Sequence, residues 1–197
     1  MFKGIDFLIY SSHKSGTQTL LNTLQKKYRG FMVHTIKNFN HIFRPYNINT
    51  ECFKSSLKTY KEETGHRLKV YTIIRNNDER LISSFFQTCH DDIIIDYRVP
   101  EKETIIMKKS VDELVEMFCT TKSEMPYYRE SLDELQEILG NQLPELIDLV
   151  ILDFEKLFDL VYLNEQLGTQ LEELVIENRT RDKIYHSKFL EFKAKLN

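Results

Sequence analysis

Residues Phe7 to Leu24 read FLIYSSHKSGTQTLLNTL, and this order of residue types predicts a strand, a loop and a helix. The apolar run Phe7–Tyr10 is typical of a buried strand, and the leucines from Leu20 onward recur at helical spacing. A helix N-terminus presents unpaired N–H groups and the positive end of the helix dipole. The stretch therefore predicts an anion-binding unit.

The loop itself supplies charge and hydrogen-bond donors for a phosphate. Lys14 contributes a full positive charge, Ser15, Thr17 and Thr19 contribute hydroxyls, and Gly16 lets the backbone approach a phosphate closely. The loop departs from the ATP/GTP loop G-x-x-x-x-G-K-[ST], because its lysine precedes the only glycine that the loop contains. It predicts a phosphate site of another type.

A second strand–turn–helix unit follows in residues 68–87, which read LKVYTIIRNNDERLISSFFQ. Arg75 ends the predicted strand, Asp78 is the predicted N-cap of the helix, and Ser83 follows Arg75 by eight positions. An arginine suits a phosphate because its planar fork binds two oxygens at once. The side chains predicted to face inward are Leu81, Ile82, Phe85 and Phe86.

These two units together resemble the donor site of sulfotransferases that use 3′-phosphoadenosine 5′-phosphosulfate (PAPS), in particular the bacterial carbohydrate and capsular-polysaccharide type. The first loop resembles their 5′-phosphosulfate loop, and the Arg75/Ser83 pair resembles their 3′-phosphate motif. The resemblance implies that Lys14 stabilises the leaving phosphate and that no metal is required. The residues implied to bind PAPS are Lys14, Ser15, Gly16, Thr17, Gln18, Thr19, Arg75 and Ser83.

The candidate general base is His34, which ends the second predicted strand in the sequence FMVHTIKN. The ordinary pKa of imidazole, near neutrality, suits the removal of a proton from an acceptor hydroxyl. Several members of the resembled family also carry a histidine after this strand. His90 is the second candidate, and a glutamate base stays open.

Alternation of strands and helices predicts an α/β fold, a P-loop-like parallel sheet with helices on both faces. The resemblance implies the sulfotransferase fold. Ligands of such sheets bind outside the carboxyl ends of the strands. Two capping boxes are predicted, Ser110-x-x-Glu113 and Ser131-x-x-Glu134. The predicted strands are 5–10, 31–36, 69–75 and 149–153.

Length and composition predict one domain over residues 1–197, because 41% hydrophobic residues suffice for a full core and no linker is recognisable. A net charge of −3 without a basic stripe argues against nucleic-acid binding. The three cysteines show no zinc-type pairing, and no signal peptide or membrane span is recognisable. We therefore expect a cytoplasmic protein, of bacterial type.

Three functions compete at this stage. The leading one is transfer of a sulfo group from PAPS to a hydroxyl, on a carbohydrate or glycolipid acceptor. The second is a nucleotide-dependent kinase that uses the same anion loop. The third is a catalytically silent, sulfotransferase-like binding protein. The acceptor, the general base, the C-terminal residues that close over the 3′-phosphate and the oligomeric state stay open.

Overall fold

The computed structural model describes residues 1–12, 16–36, 49–88, 108–121, 131–176 and 186–196. The chain divides into two compact units. The first unit comprises Met1–Arg75 and Tyr128–Ile176, and the second comprises Asn76–Tyr127 and Glu177–Asn197. The single domain expected over the whole chain stays a prediction.

Four strands and the helices between them belong to the first unit. In chain order they are β1 (Phe7–Tyr10), α1 (Thr17–Leu24), β2 (Gly30–Val33), α2 (Thr50–Thr64) and β3 (Leu68–Ile74), followed by α5 (Ser131–Leu139), α6 (Leu143–Leu146), β4 (Ile147–Asp153) and α7 (Leu160–Leu167). The second unit contains α3 (Asn77–Thr88), α4 (Val111–Thr121) and α8 (His186–Leu196). Short 3₁₀ turns cover Gly140–Gln142 and Phe154–Lys156.

The four strands form one parallel sheet in the order β2-β1-β3-β4. This confirms the predicted α/β class, and all four predicted strands are present with ends shifted by at most three residues. The chain moves from β1 to β2 on one side and then crosses back to β3 on the other side of β1. The carboxyl ends of β1 and β3 therefore flank the point where the strand order reverses, which is where open α/β sheets bind ligands.

Helices cover both faces of this sheet, as predicted. Side chains alternate along a strand, so Phe7 and Ile9 pack on one face with helices α1 and α7. Leu8 and Tyr10 point to the opposite face and pack with helices α2, α5 and α6. The strand β1 is therefore buried on both sides, which explains why its sequence is apolar without alternation.

The second unit is built around five phenylalanines. Phe192 of α8 is fully buried, and its ring centroid lies 5.0 Å from Phe86, 5.5 Å from Phe118 and 5.7 Å from Phe85. Phe189 packs edge to face on Phe86 at 5.2 Å. The inward-facing side chains predicted on α3 are confirmed, since Leu81, Ile82, Phe85 and Phe86 are all buried.

The helix starts confirm some predicted caps and correct others. Ser110 and Glu113 form a reciprocal capping box. The Ser110 N–H donates to Glu113 Oε2 at 2.6 Å, and the Glu113 N–H donates to Ser110 Oγ at 3.2 Å. The cap predicted at Asp78 is wrong, because Asn76 accepts the backbone N–H of Asp78 at 2.9 Å and that of Glu79 at 3.4 Å. Asn76 takes this role because it lies at the first turn away from the strand, where the helix begins at Asn77.

No helix within the described ranges combines the length and the apolar character that a bilayer span requires.

Replacing Phe192 by alanine removes the ring that contacts three neighbouring phenylalanines. We expect Phe192→Ala to lower the free energy of unfolding by about 3–5 kcal/mol. The substitution leaves a cavity, because the neighbouring side chains relax only partly into the space of the missing ring. Denaturation by urea, followed by circular dichroism, measures the change. Leu190→Ala in the same helix is the control, because Leu190 is 52% exposed. Equal effects of the two substitutions would contradict the packing described.

Ionisation of Tyr71 at alkaline pH should lower the stability of the first unit. Burial, followed by the nearby Tyr28 and Asp148, raises the pKa of Tyr71 from 10.0 to about 12. The folded-state pKa lies above the unfolded one, so the contribution to stability is present below pH 10 and is lost as the pH rises toward about 12. We expect the free energy of unfolding to fall across this window in the native protein and to fall less in Tyr71→Phe. Urea denaturation at several pH values measures the slope.

Candidate functional site

The loop between β1 and α1 is described from Gly16 onward; His13, Lys14 and Ser15 lie outside the described residues. Gly16 has φ +73° and precedes the first residue of α1. A glycine brings no side chain to cap the helix, and the described residues supply no side-chain cap at this start. The N–H groups of a helix start are a common place for an anion to bind.

Gly16 is required by space as well as by backbone conformation. A Cβ atom at this position would lie 2.5 Å from Leu157 Cδ2 and 3.3 Å from Phe154 Cε2. Both neighbours follow β4, so the start of α1 packs directly against the carboxyl end of the last strand. The glycine predicted for close approach to a phosphate thus also provides close approach between two chain segments.

Arg75 follows β3 directly, as predicted, and its guanidinium carbon lies 4.0 Å from the centroid of the Phe154 ring. The register pairs Ile74 with Asp153, which brings the residues after β3 and β4 side by side. An arginine over an aromatic face gains a cation–π attraction and is held in one orientation. Arg75 is half-buried, so its charge is oriented at the carboxyl edge of the sheet.

Phe154 therefore connects the two predicted phosphate-binding elements of the first unit. One ring contacts the position of Gly16 at the start of α1 and the guanidinium of Arg75 after β3. Sequence reasoning did not select Phe154 as a site residue. The available signal was its place immediately after an apolar strand that pairs with β3, since carboxyl ends of parallel strands meet at one edge.

Ser11 ties β1 to both neighbouring strands. The regular pairing of β1 with β3 ends at Ile9 and Tyr71. Two residues further on, the buried hydroxyl of Ser11 donates to the Ile73 carbonyl at 3.2 Å and accepts the Ile73 N–H at 3.0 Å. The Ser11 N–H donates to the carbonyl of Val33 in β2 at 3.2 Å. The three strands stay joined at the edge where the candidate site lies.

His34 follows β2 directly and is half-buried, in agreement with its predicted place at the end of that strand. Its Nδ1 atom lies 2.7 Å from the carbonyl oxygen of Ser11. A carbonyl only accepts hydrogen bonds, so Nδ1 carries the hydrogen and the neutral ring has its lone pair on Nε2. The imidazole is therefore held in the tautomer that makes Nε2 a proton acceptor.

A polar cluster lies on the other face of the sheet, between the ends of β1 and β2 and the helix α5. The Tyr10 hydroxyl donates to Glu134 Oε2 at 2.6 Å, and the Ile36 N–H donates to Glu134 Oε1 at 3.4 Å. The hydroxyls of Ser12 and Ser131 lie 3.1 Å apart and are buried. The capping box predicted for Ser131 and Glu134 is therefore wrong, because the Ser131 hydroxyl binds Ser12 just after β1 and the Glu134 carboxylate binds Tyr10 and Ile36 instead.

The remaining predicted residues divide by position. Thr17 and Thr19 are buried in the first turn of α1, and the Gln18 amide donates to Asn22 Oδ1 at 2.7 Å within that helix. Ser83 is half-buried on α3, in the second unit, whereas Arg75 ends the first segment of the first unit. Residue His90, the second candidate base, lies outside the described residues.

The start of α1, Arg75 and His34 thus all lie at the described carboxyl edge of the sheet, Arg75 against Phe154 and His34 against the Ser11 carbonyl. Among the described residues, no group of three histidine, cysteine, aspartate or glutamate side chains is placed to hold a metal ion. Comparisons of the chain with models of known families, with curated proteins and with solved structures find no match. The function is therefore argued from the site itself.

We expect Gly16→Ala to destabilise the protein more than a left-handed backbone alone explains. Gly168, with φ +61° and no atom within 4 Å of a Cβ placed there, is the matched control. Gly168→Ala should cost about 1–2 kcal/mol from backbone strain, and Gly16→Ala should cost about 1–3 kcal/mol more from overpacking. Urea denaturation of both variants measures the difference. Equal losses would show that Leu157 and Phe154 do not restrict this position.

Proposed function

We propose that this chain is a PAPS-dependent sulfotransferase with the sulfotransferase variant of the P-loop-like fold. It transfers a sulfo group to a hydroxyl of a carbohydrate or glycolipid acceptor, and it acts in the cytoplasm of a bacterium. The single observation that carries the proposal is the Phe154 ring that contacts both Arg75 and the position of Gly16. It supports the proposal because one ring lies against both a cation and a helix start for which the described residues supply no side-chain cap.

This arrangement fits the chemistry of the donor. PAPS carries a 5′-phosphosulfate and a separate 3′-phosphate, and it supplies the sulfo group that is transferred. A helix N-terminus and the loop residues Lys14 to Thr19 suit the first of these anions. The planar fork of Arg75 suits a phosphate, because it binds two oxygens with two parallel hydrogen bonds.

The transfer itself requires a proton acceptor and charge stabilisation. The acceptor oxygen forms a bond to sulfur, the bond between sulfur and the bridging phosphate oxygen breaks, and the acceptor proton passes to His34 Nε2. The hydrogen bond from His34 Nδ1 to the Ser11 carbonyl leaves the lone pair of the neutral ring on Nε2, the atom that would receive this proton. Lys14 would stabilise the negative charge that develops on the leaving phosphate. Positioning and electrostatics supply most of the rate enhancement in such transfers.

The test is binding of the product 3′-phosphoadenosine 5′-phosphate (PAP), measured as thermal stabilisation. At a PAP concentration of about 100 times Kd, linkage adds about 2.7 kcal/mol to the free energy of unfolding. We expect this stabilisation in the native protein and its loss in Arg75→Ala. Because that substitution also removes the contact with Phe154, the quantity compared is the shift on adding PAP, within each variant.

Arg67→Ala is the matched control for this test. Arg67 immediately precedes β3, whereas Arg75 immediately follows it, and its guanidinium donates to the Pro144 carbonyl at 2.7 Å. We expect Arg67→Ala to keep the full PAP shift. ADP, ATP and 5′-AMP serve as ligand controls. No shift with PAP, or an equal shift with ATP, would contradict the proposed donor site.

A further inference from the structure

The candidate base is held at a junction between two chain segments, the end of β1 and the segment after β2. The bond from His34 Nδ1 to the Ser11 carbonyl, 2.7 Å long, crosses this junction. The Ser11 carbonyl is itself fixed, because the Ser11 hydroxyl binds both backbone groups of Ile73. The orientation of His34 therefore depends on how the segment after β2 is held against the end of β1.

Glu134 of helix α5 crosses the same junction. One carboxylate oxygen accepts the hydroxyl of Tyr10, the residue before Ser11, at 2.6 Å. The other accepts the backbone N–H of Ile36, two residues after His34, at 3.4 Å. Tyr10 is fully buried, so its hydroxyl provides a fixed end for this bridge.

A carboxylate suits this bridge for a specific reason. It has two acceptor oxygens and no donor, and both groups that reach it here are donors. A glutamine in the same place offers one acceptor oxygen and an NH₂ group, so it cannot accept from both the Tyr10 hydroxyl and the Ile36 N–H in this geometry. The charge also strengthens the bond from the tyrosine hydroxyl.

From these contacts we infer that Glu134 is a positioning residue for His34. By joining Tyr10 to the segment after β2, it holds the imidazole against the Ser11 carbonyl and keeps the hydrogen on Nδ1. Glu134 does not touch the reacting atoms in this role. The catalytic meaning of the arrangement rests on the proposed function, in which His34 Nε2 receives a proton, whereas the arrangement itself can be measured without donor or acceptor.

The test is the tautomer of His34, read by NMR from the nitrogen chemical shifts and the couplings of the imidazole in protein labelled with ¹⁵N-histidine. The spectra are recorded at a pH about two units above the ordinary pKa of histidine, where the ring is neutral. Comparison with His34→Gln assigns the signal among the six histidines. We expect the native protein to show hydrogen on Nδ1, and Glu134→Gln to show a shift toward the mixture of tautomers typical of a ring that is not held.

Two further variants keep the inference open to contradiction. Tyr10→Phe retains the buried ring and removes only the hydroxyl, and we expect it to shift the tautomer in the same direction as Glu134→Gln. Asp133→Asn is the control, because Asp133 is the exposed neighbour of Glu134 on the same helix, and we expect no change. A signal that keeps hydrogen on Nδ1 in both Glu134→Gln and Tyr10→Phe would overturn the inference.

PAP binding separates this inference from the proposed function. We expect Glu134→Gln to keep the PAP shift of the native protein, because Arg75 and the start of α1 do not contact Glu134. A tautomer that responds as expected in a protein that fails to bind PAP would support the positioning role and contradict the donor site. A loss of the PAP shift in Glu134→Gln would overturn the positioning role, since it would show a general loss of structure at this edge.

Discussion

The hydrogen bonds of Ser11 are the constraint on which this edge of the sheet depends. Parallel strands β1 and β3 stop pairing through their backbones at Ile9 and Tyr71, near the edge where open α/β sheets commonly bind ligands. The Ser11 hydroxyl binds both the N–H and the carbonyl of Ile73, so the strands remain joined while their backbones separate. The same residue orients His34 through its carbonyl. One buried residue thus joins three strand ends, because its side chain binds Ile73 while its backbone N–H and carbonyl bind Val33 and His34.

Phe154 has a comparable role on the side of the edge that carries Arg75 and the start of α1. The half-buried guanidinium of Arg75 loses part of its hydration. The cation–π attraction to the face of the Phe154 ring offsets part of that loss. Electrostatic interactions of this charge are stronger where water is partly excluded. Because the same ring lies against the position of Gly16, the helix N-terminus and the arginine are held in fixed relation within the first unit.

Local patterns in the sequence were sufficient to predict the strands. The apolar runs predicted all four strands, and Arg75 and His34 follow β3 and β2 as expected. Contacts between distant segments were not predictable in this way. Phe154 reaches Arg75 only through the register of β3 with β4, which no local pattern specifies.

The two wrong caps show the same limit at the level of single residues. Asn76 and Asp78 are both good N-cap residues, and the choice between them was made by where β3 ends. The pattern Ser131-x-x-Glu134 is locally indistinguishable from the box that Ser110 and Glu113 form. Its side chains instead bind Ser12 and Tyr10, because a buried tyrosine and a buried serine at the end of β1 each require a partner.

The strand order has a consequence for how the protein folds. Strand β3 pairs with β4 along its whole length, from Leu68 with Ile147 to Ile74 with Asp153, although most of the second unit lies between them in the chain. Closing such a long loop costs conformational entropy before the pairing of β3 with β4 contributes any stabilisation. Contacts of this kind therefore slow folding. Arg75 and Phe154 come together only when this pairing is complete. The edge that carries Arg75 and Phe154 should therefore be among the last parts of the first unit to form.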